Sequence, residues 1–233
     1  MAEPELERVR AVYRARDAAG ARGRYSLLRP GELFMAQQRE RSLLTLLREH
    51  VAAGLSELEI LEVGCGRGLP LVDWLRWGAR PENLAGIDLI ESSLRHAREL
   101  VPQARIAAAS GGRLPFADAR FDLVMQLTVF SSILEPEMRR AVAREMLRVT
   151  RPGGAVLWYD VRVANPANPD LVAIPRREIR ALFPGCAVHL RGSTLAPPLA
   201  RRLAPWSFLA CALLSTLPML RTHWAALIRK PRA

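Results

Sequence analysis

The chain has 233 residues, half of them hydrophobic, which fits one domain with a substantial core. Its net charge of +11 leaves open whether it has an anionic partner. Three scattered cysteines, Cys65, Cys186 and Cys211, exclude a disulfide framework and a zinc site, and they indicate a reducing compartment. The charged N-terminal segment MAEPELERVR lacks the apolar run of a signal peptide, so we expect a cytoplasmic protein.

Apolar residues at helical spacing predict two helices before the first strand, over residues 5–18 and 32–52. The segment between them, GARGRYSLLRPG, has the glycine and proline content of a loop. We therefore predict an N-terminal helical cap over residues 1–52 and a single larger domain over residues 53–233.

From Glu59 onward, short apolar runs alternate with amphipathic stretches, which is typical of a parallel α/β sheet. The runs are EILEVG, LAGIDL, ARIAAA, FDLVMQ and GAVLWYD. The segment RPGG at residues 151–154 predicts a helix stop and a turn into the next strand. The less regular last third predicts a helix PRREIRALF, a strand AVHLRG, an apolar region and a final strand THWAALIRK.

A glycine-rich turn lies between the first predicted strand and the helix that follows it. Gly64, Gly66 and Gly68 allow the backbone to approach a ligand closely at the C-terminal edge of the sheet. The spacing differs from the dinucleotide pattern, and no Gly-Lys-Ser/Thr follows to hold phosphates. Asp88 ends the second strand twenty positions after Gly68, where a carboxylate can accept hydrogen bonds from both ribose hydroxyls. This arrangement suits NAD or an adenosyl ligand.

Residues 59–160 resemble the class I, Rossmann-like methyltransferases that depend on S-adenosylmethionine, in particular the small-molecule and lipid-modifying group. The resemblance is carried by the motifs LEVGCGRG, GIDLIESSL, RLPFADARFDLV and LRVTRPGGAVL. It implies a seven-stranded, mostly parallel, doubly wound sheet whose last strand, THWAALIRK, inserts antiparallel, with an N-terminal helical addition. It leaves the substrate open.

The resemblance also implies a cofactor site. Glu62 matches an acidic position that reaches the ammonium group of S-adenosylmethionine, directly or through water, where opposite charges attract. Relatives place an aspartate before Leu-Pro-Phe for the adenine amino group, whereas this chain has Ser110 there, so a hydroxyl or backbone groups must serve. The predicted cofactor residues are Glu62, Gly64, Cys65, Gly66, Gly68, Asp88, Leu89, Ser110, Gly111, Gln126 and Leu127.

Methyl transfer from a sulfonium is an in-line displacement, so positioning dominates and a base is needed only for a protonated nucleophile. Asp160, at the C-terminal end of its strand, is our candidate base, and a turn-capping carboxylate is the equal alternative. His189 and His223 fall in predicted strands and are expected to be structural. Gln126 stands where metal-dependent relatives need carboxylates, so we expect no metal.

The two ends of the chain are expected to set specificity. In relatives the N-terminal helices cover the cofactor, so Tyr25 and the second helix form either a lid or core support. Residues 203–220 run for eighteen positions without a charge, within a predicted apolar helical insertion over about residues 196–220. A buried or lid helix is the first interpretation, and an interfacial helix at anionic lipid is the second. A spanning helix would remove the final strand.

The basic excess lies in the C-terminal third, where residues 161–233 carry eleven basic and two acidic residues, while residues 51–160 carry thirteen and fourteen. This excess fits an anionic partner or a genomic arginine bias equally well.

We predict a cytoplasmic methyltransferase for a small organic or lipid-like acceptor, with nucleic acid not expected as a partner. The alternatives are an RNA or protein methyltransferase that docks through the basic third, and a non-catalytic cofactor-binding subunit. The oligomeric state stays open.

Overall fold

One mixed sheet with helices on both faces makes up the fold. The computed structural model describes residues 3–18, 23, 26–51, 54–165 and 168–232. Within these ranges the strands are β1 (Ile60–Val63), β2 (Leu84–Asp88), β3 (Arg105–Ala108), β4 (Phe121–Leu127), β5 (Thr150–Val161), β6 (Ala187–Leu195) and β7 (Arg221–Arg229). The helices are α1 (Glu3–Ala18), α2 (Pro30–His50), α3 (Leu69–Arg76), α4 (Glu91–Leu100), α5 (Pro136–Val149), α6 (Arg176–Leu182), α7 (Pro197–Leu203) and α8 (Phe208–Leu214).

The strands follow the order β3-β2-β1-β4-β5-β7-β6. Strands β1 to β5 pair in parallel, and β7 runs antiparallel to both of its neighbours, β5 and β6. This confirms the predicted seven-stranded, mostly parallel sheet with an antiparallel last strand. The strand order reverses at β1, which lies between β2 and β4, and a crevice for a ligand forms outside the C-terminal ends of strands at such a switch point.

Two apolar layers bury the faces of the sheet. On one face, Trp158 of β5 packs against Phe130 and Phe183, with ring centroids 4.3 and 5.8 Å apart. On the other face, Trp74 of α3 and the leucines of α2 pack against the strands. All four residues of β1 are buried, as expected for a central parallel strand covered on both sides.

Helix α2 is one of the elements that cover the sheet. It begins at Pro30, a residue well suited to the first helical position because its φ is already fixed. The hydroxyl groups of Ser42 and Ser193 lie 2.8 Å apart, and the backbone N–H of Leu195 donates to Oε1 of Gln38 at 2.9 Å, which joins α2 to β6. The predicted division at residue 52 stays a prediction, and α2 packs as closely on the sheet as the helices beyond that point.

The predicted turn at residues 151–154 is wrong, because β5 begins at Thr150, directly after the last residue of α5. The glycines instead lie in an irregularity of the strand, where the β4–β5 register shifts between Phe121 and Leu123. Gly153 has a φ of +76°, and a Cβ on Gly154 would lie 2.7 Å from the carbonyl oxygen of Asp122. Glycine is therefore needed for a close strand approach.

The uncharged segment 203–220 folds as the end of α7, helix α8 and a 3-10 turn at Pro218–Leu220, inserted between β6 and β7. In the described part of the chain, no helix combines the length and apolar character that crossing a bilayer requires. The first interpretation is a buried or lid helix. Burial is wrong for Trp206, Leu209 and Leu213, whose side chains are exposed, while the lid role stays a prediction.

We predict that Leu46→Ala lowers the free energy of unfolding by about 2–5 kcal/mol, because Leu46 of α2 is fully buried against the sheet. The matched control is Leu44→Ala on the outer side of the same helix, with an expected loss below about 1 kcal/mol. Urea unfolding of both variants measures the difference. Equal losses would mean that α2 does not depend on its inner face for docking.

Candidate functional site

The glycine turn lies at the C-terminal edge of the sheet, beside the reversal of strand order. It follows β1 and leads into α3. Gly64 has a φ of +78°, and a Cβ there would lie 2.6 Å from Cγ2 of Val129. Gly68 has a φ of +92°, and a Cβ there would lie 2.9 Å from Cα of Ala97 in α4. Both positions therefore need glycine for conformation and packing together.

Gly66 differs from these two glycines. Its φ is +52°, but a Cβ would meet no described atom within 4 Å. The carboxylate of Asp88 fixes this part of the turn, because it accepts hydrogen bonds from the backbone N–H groups of Gly66 and Ile90, both at 2.9 Å. The turn thus has open space on its outer side and an oriented carboxylate next to it.

Glu62 is a fully buried carboxylate at the end of β1. Its Oε2 accepts a hydrogen bond from Nε1 of Trp74 at 3.1 Å, while Oε1 has no hydrogen-bond partner among the described residues. Burial raises the pKa of Glu62 to about 8, the Trp74 hydrogen bond opposes this rise, and the charge of Asp73 adds to it. An unsatisfied buried oxygen is costly, and a cationic donor from a ligand would satisfy it.

A positive charge lies close to Glu62. Arg39 of α2 has its Nη2 at 3.8 Å from Oδ2 of Asp73, and its charge lowers the pKa of Glu62. No motif in the sequence singles out Arg39, and only the expected lid role of its helix indicates a place near the cofactor. Arg39 can offer its charge to a carboxylate, and the unsatisfied Oε1 of Glu62 can accept from an ammonium group, which together suits a zwitterion such as an amino acid.

Two aromatic side chains extend this polar region across β5 and β7. The hydroxyl of Tyr159 lies 2.6 Å from Oγ1 of Thr194, and the rings of Tyr159 and His223 stack with centroids 4.9 Å apart. Burial, assisted by the charge of Arg39, lowers the pKa of His223 to about 4. Burial raises the pKa of Tyr159 to about 12. Both side chains are therefore neutral at neutral pH.

The predicted adenine loop also reaches this edge. The backbone N–H of Ala109 donates to the carbonyl oxygen of Asp88 at 3.1 Å, which holds the loop beside β2. Oγ of Ser110 accepts a hydrogen bond from the N–H of Gly112 at 3.2 Å. A Cβ on Gly111 would lie 3.3 Å from side-chain atoms of Val63, so this glycine packs tightly inward. Its contribution to a ligand is limited to backbone atoms.

Three other predicted cofactor residues pack against the core. Cys65 is fully buried, burial raises its thiol pKa, and its Sγ would lie 2.9 Å from a Cβ on Gly86. Leu89 and Leu127 are half-buried against the two apolar layers. Cys65 can therefore offer a ligand its backbone but not its side chain.

Gln126 and Asp160 both use their side chains to hold the loop after β4. Oε1 of Gln126 accepts from the N–H of Val129 at 2.9 Å, and Nε2 donates to the carbonyl of Tyr159 at 3.3 Å. The buried carboxylate of Asp160 accepts from the N–H groups of Phe130 at 2.9 Å, Ser131 at 3.3 Å and Val161 at 2.8 Å. These contacts favour the turn-capping alternative for Asp160 over a role as base.

Helix α1 covers the same loop. Arg8 donates to the carbonyl of Ser132 at 2.6 Å, and Glu5 accepts from the N–H of Leu134 at 2.5 Å. Burial raises the pKa of Tyr13, a hydrogen bond to Ser132 opposes the rise, and the charges of Asp88 and Asp160 add to it.

The guanidinium of Arg16 lies over the ring of Tyr13, 5.4 Å from its centroid, whereas the helical spacing of Tyr13 alone indicated only an apolar face. Tyr25, the other aromatic residue that we expected near a lid, lies outside the described residues.

Comparison with known proteins agrees with this geometry. Residues 61–158 match the family model described as a methyltransferase domain. The chain is similar to phthiotriol/phenolphthiotriol dimycocerosates methyltransferase 1 of Mycobacterium ulcerans (strain Agy99), with 32% identity over 130 residues, 54% of this chain and 46% of that protein. It is also similar to malonyl-[acyl-carrier protein] O-methyltransferase of Erwinia pyrifoliae, with 35% identity over 114 residues, 48% and 40% of the two chains. The chain thus spans less than half the length of these two curated relatives.

Among solved structures, the chain is similar to one chain of the complex between the Haloferax volcanii Trm112 methyltransferase activator and a putative methyltransferase. The TM-score is 0.66, with 17% identity, over 94% of this chain and 96% of that chain. This likeness concerns the fold alone. Together, the match of residues 61–158 to a methyltransferase domain, from β1 into β5, and the order of the strands show a class I, Rossmann-like fold.

Proposed function

We propose that this chain transfers a methyl group from S-adenosylmethionine to a small organic or lipid-like acceptor. The observation that carries the proposal is the buried Oε1 of Glu62, which lacks a hydrogen-bond donor beside an open glycine turn. When bound, the cofactor supplies a methyl group that its sulfonium already activates. The work left for the protein is to bind, to orient and to exclude water.

Each polar group of the edge suits one part of the cofactor. Glu62 would accept from the ammonium group, and Arg39 would pair with the carboxylate of the same amino-acid end. Asp88, oriented by the backbone of Gly66, would accept from the ribose hydroxyls. Ser110 and the backbone beside it remain our proposal for adenine.

The residues of this site are better suited to binding the cofactor than to removing a proton from the acceptor. The pKa of His223 near 4 makes it a poor base at neutral pH. Burial raises the pKa of Asp160 to about 6, but three backbone N–H groups already occupy its carboxylate. We infer that the acceptor atom is already nucleophilic at neutral pH and that positioning supplies most of the rate.

The acceptor class rests on the relatives. Their names specify phthiotriol dimycocerosates in one case and malonyl-[acyl-carrier protein] in the other, which supports a lipid-like or small organic acceptor here. Peripheral contact with a membrane through residues 203–220 would bring such an acceptor to the cleft. All three cysteines are free thiols, which supports a cytoplasmic location.

Two other functions have a specific observation behind them. The basic C-terminal third would suit an RNA or protein methyltransferase, and RNA binding that weakens steeply with salt would support it. The likeness to a chain from a complex with a methyltransferase activator would suit a partner-dependent or non-catalytic subunit. Cofactor binding without turnover until a second protein is added would support that function.

For Glu62 we predict that S-adenosylmethionine binding releases close to one proton at pH 7. The pKa of about 8 means that Glu62 is mostly protonated before binding, and a bound cation favours the carboxylate. The affinity for S-adenosylmethionine should rise by up to about tenfold per pH unit between pH 6 and 8. It should level off above the pKa that Glu62 has in the folded protein. Calorimetry in buffers of different ionisation enthalpy measures the released protons. Glu62→Gln isolates this contribution from the titration of the cofactor's own amine, and equal proton release by both proteins would refute the assignment.

For Asp88 we predict that Asp88→Ala weakens binding of S-adenosylmethionine and S-adenosylhomocysteine by about 1–3 kcal/mol, the cost of losing a charged hydrogen bond. The matched control is Asp122→Asn, since Asp122 bonds to Arg151 and the N–H of Glu59 at the opposite edge of the sheet. Isothermal titration of both variants, with NAD as a third ligand, measures the affinities. An unchanged affinity of Asp88→Ala would remove the ribose assignment.

For Asp160 we predict that Asp160→Asn lowers the free energy of unfolding by about 1–3 kcal/mol, because an amide would turn N–H groups toward backbone donors. Asp118→Asn, at an exposed carboxylate, is the control and should change stability by less than about 0.5 kcal/mol. Urea unfolding measures both. A variant with full stability but greatly reduced turnover would instead support the role of Asp160 as base.

A further inference from the structure

Several large apolar side chains of the insertion between β6 and β7 are exposed to solvent. The exposed fractions are 88% for Trp206, 69% for Leu209, 62% for Leu213 and 80% for Met219. Isolated exposed leucines are ordinary, but four such side chains within fourteen residues form a patch of the kind that marks an interaction site. We call these four residues the apolar face.

The apolar face belongs to an ordered element. Oγ of Ser207 accepts a hydrogen bond from the N–H of Ala210 at 3.1 Å and so caps α8. The opposite side of α8 holds the element in place, because Cys211 is fully buried and the rings of Phe208 and Phe34 meet at 5.4 Å. Leu209 and Leu213 lie one turn apart on the helix, so its folding directs both outward together.

A second apolar segment lies next to this element. Leu27 and Leu28, just before α2, are 58% and 94% exposed. A Cβ on Gly31 would lie 2.6 Å from Cα of Arg201, which shows that the start of α2 contacts α7 directly. Leu28 is three positions before Gly31, a stretch that spans at most about 10 Å, so Leu28 lies close to the insertion.

The charged residues that flank the apolar face along the chain are all positive. Residues 203–220 carry no charge, Arg201, Arg202 and Arg221 flank them, and no acidic residue follows Glu178 in the chain. Arg201 pairs with Glu32 at 2.7 Å, whereas Arg202 makes no salt bridge within the described ranges. A second copy docked about a two-fold axis would bring the same positive charges together. An anionic lipid surface would complement them.

The insertion lies at the same edge of the sheet as the cofactor turn. It leaves β6 at Leu195 and enters β7 at Arg221, and these two residues pair. The first residues of β7 pair with the last residues of β5, as in the contact of His223 with Val161. Since β5 is parallel to β1, this is the C-terminal edge that also carries the glycine turn.

We propose that the apolar face, together with Leu27 and Leu28, docks the protein onto an anionic lipid bilayer. The apolar side chains enter the boundary between headgroups and acyl chains, and the flanking arginines contact the headgroups. The catalytic edge then faces the lipid, so that an acceptor in the bilayer reaches the cleft directly. Delivery of the acceptor rests on the proposed function, whereas docking itself does not.

The test is sedimentation of the full chain with phosphatidylcholine vesicles, with and without phosphatidylglycerol. We expect binding to the anionic vesicles that weakens as salt rises. The triple variant Trp206→Ser, Leu209→Ser, Leu213→Ser should lose at least about tenfold in partitioning. The matched control Leu100→Ser, at an exposed leucine on α4, should bind like the original chain.

Two further variants keep the test independent of the triple substitution. The double variant Arg201→Gln, Arg202→Gln should bind the anionic vesicles less tightly. Its binding should also depend less on salt, because the contacts of the arginines with the headgroups are lost. Trp206→Phe should remove a blue shift of tryptophan fluorescence that vesicles induce. Circular dichroism confirms that each variant folds.

Equal binding of the triple variant and the original chain, or no binding to anionic vesicles, would overturn the proposal. Dimerisation without lipid that the triple substitution abolishes would assign the face to a second copy instead. Saturable binding of an acidic carrier protein to this face, in place of vesicles, would likewise overturn it. Titration with S-adenosylmethionine is run on the same samples in solution, so a failure of cofactor binding would count against the proposed function and leave docking standing.

Discussion

Burying the Glu62 carboxylate at the end of β1 costs free energy that the surrounding residues only partly offset. With a pKa near 8, keeping the group charged costs roughly 5 kcal/mol relative to water, so at neutral pH it is largely protonated. Trp74 satisfies one oxygen, and the other lacks a donor among the described residues. Such a group persists where a ligand completes it, which is why this carboxylate defines the site.

The elements around Glu62 depend on one another. Asp88 fixes the turn through the N–H of Gly66, and Gly68 lets α3 approach α4. Helix α2 both buries a face of the sheet and brings Arg39 to Asp73 of α3. Because one helix supplies apolar cover and a positive charge, a loss of its packing would also displace that charge.

The sequence predicts best what depends on neighbours in the chain. The strands, the glycine turn and the position of Asp88 follow from local periodicity and spacing, since each lies within or directly beside an apolar run. Glu62, in contrast, is singled out only by the resemblance to known methyltransferases. Arg39 lies thirty-four positions before Asp73 on another element, and no local pattern reveals that the two pair. The partners of Asp160 at Phe130 and Ser131 are equally remote in the chain.

Hydrophobicity alone also left the orientation of segments undetermined. The run 203–220 identifies apolar residues, but which of them face water depends on the cap at Ser207 and on packing against α2. The glycines at 153 and 154 suggested a turn, yet the close approach of β4 uses them within a strand. In both cases the tertiary contact decided the outcome, because glycine and leucine are each compatible with several local structures.

The weak bases and the exposed apolar face are both consistent with a protein that positions the acceptor and a membrane that helps to exclude water. A site without a strong base gains most of its rate from holding the acceptor in line and from excluding water. Helix α1 covers the loop after β4, while the insertion and the start of α2 lie at the same edge. If the cleft opens toward lipid, the membrane itself would keep water from the reacting atoms while the acceptor enters. The protein would then need fewer residues of its own to close the site.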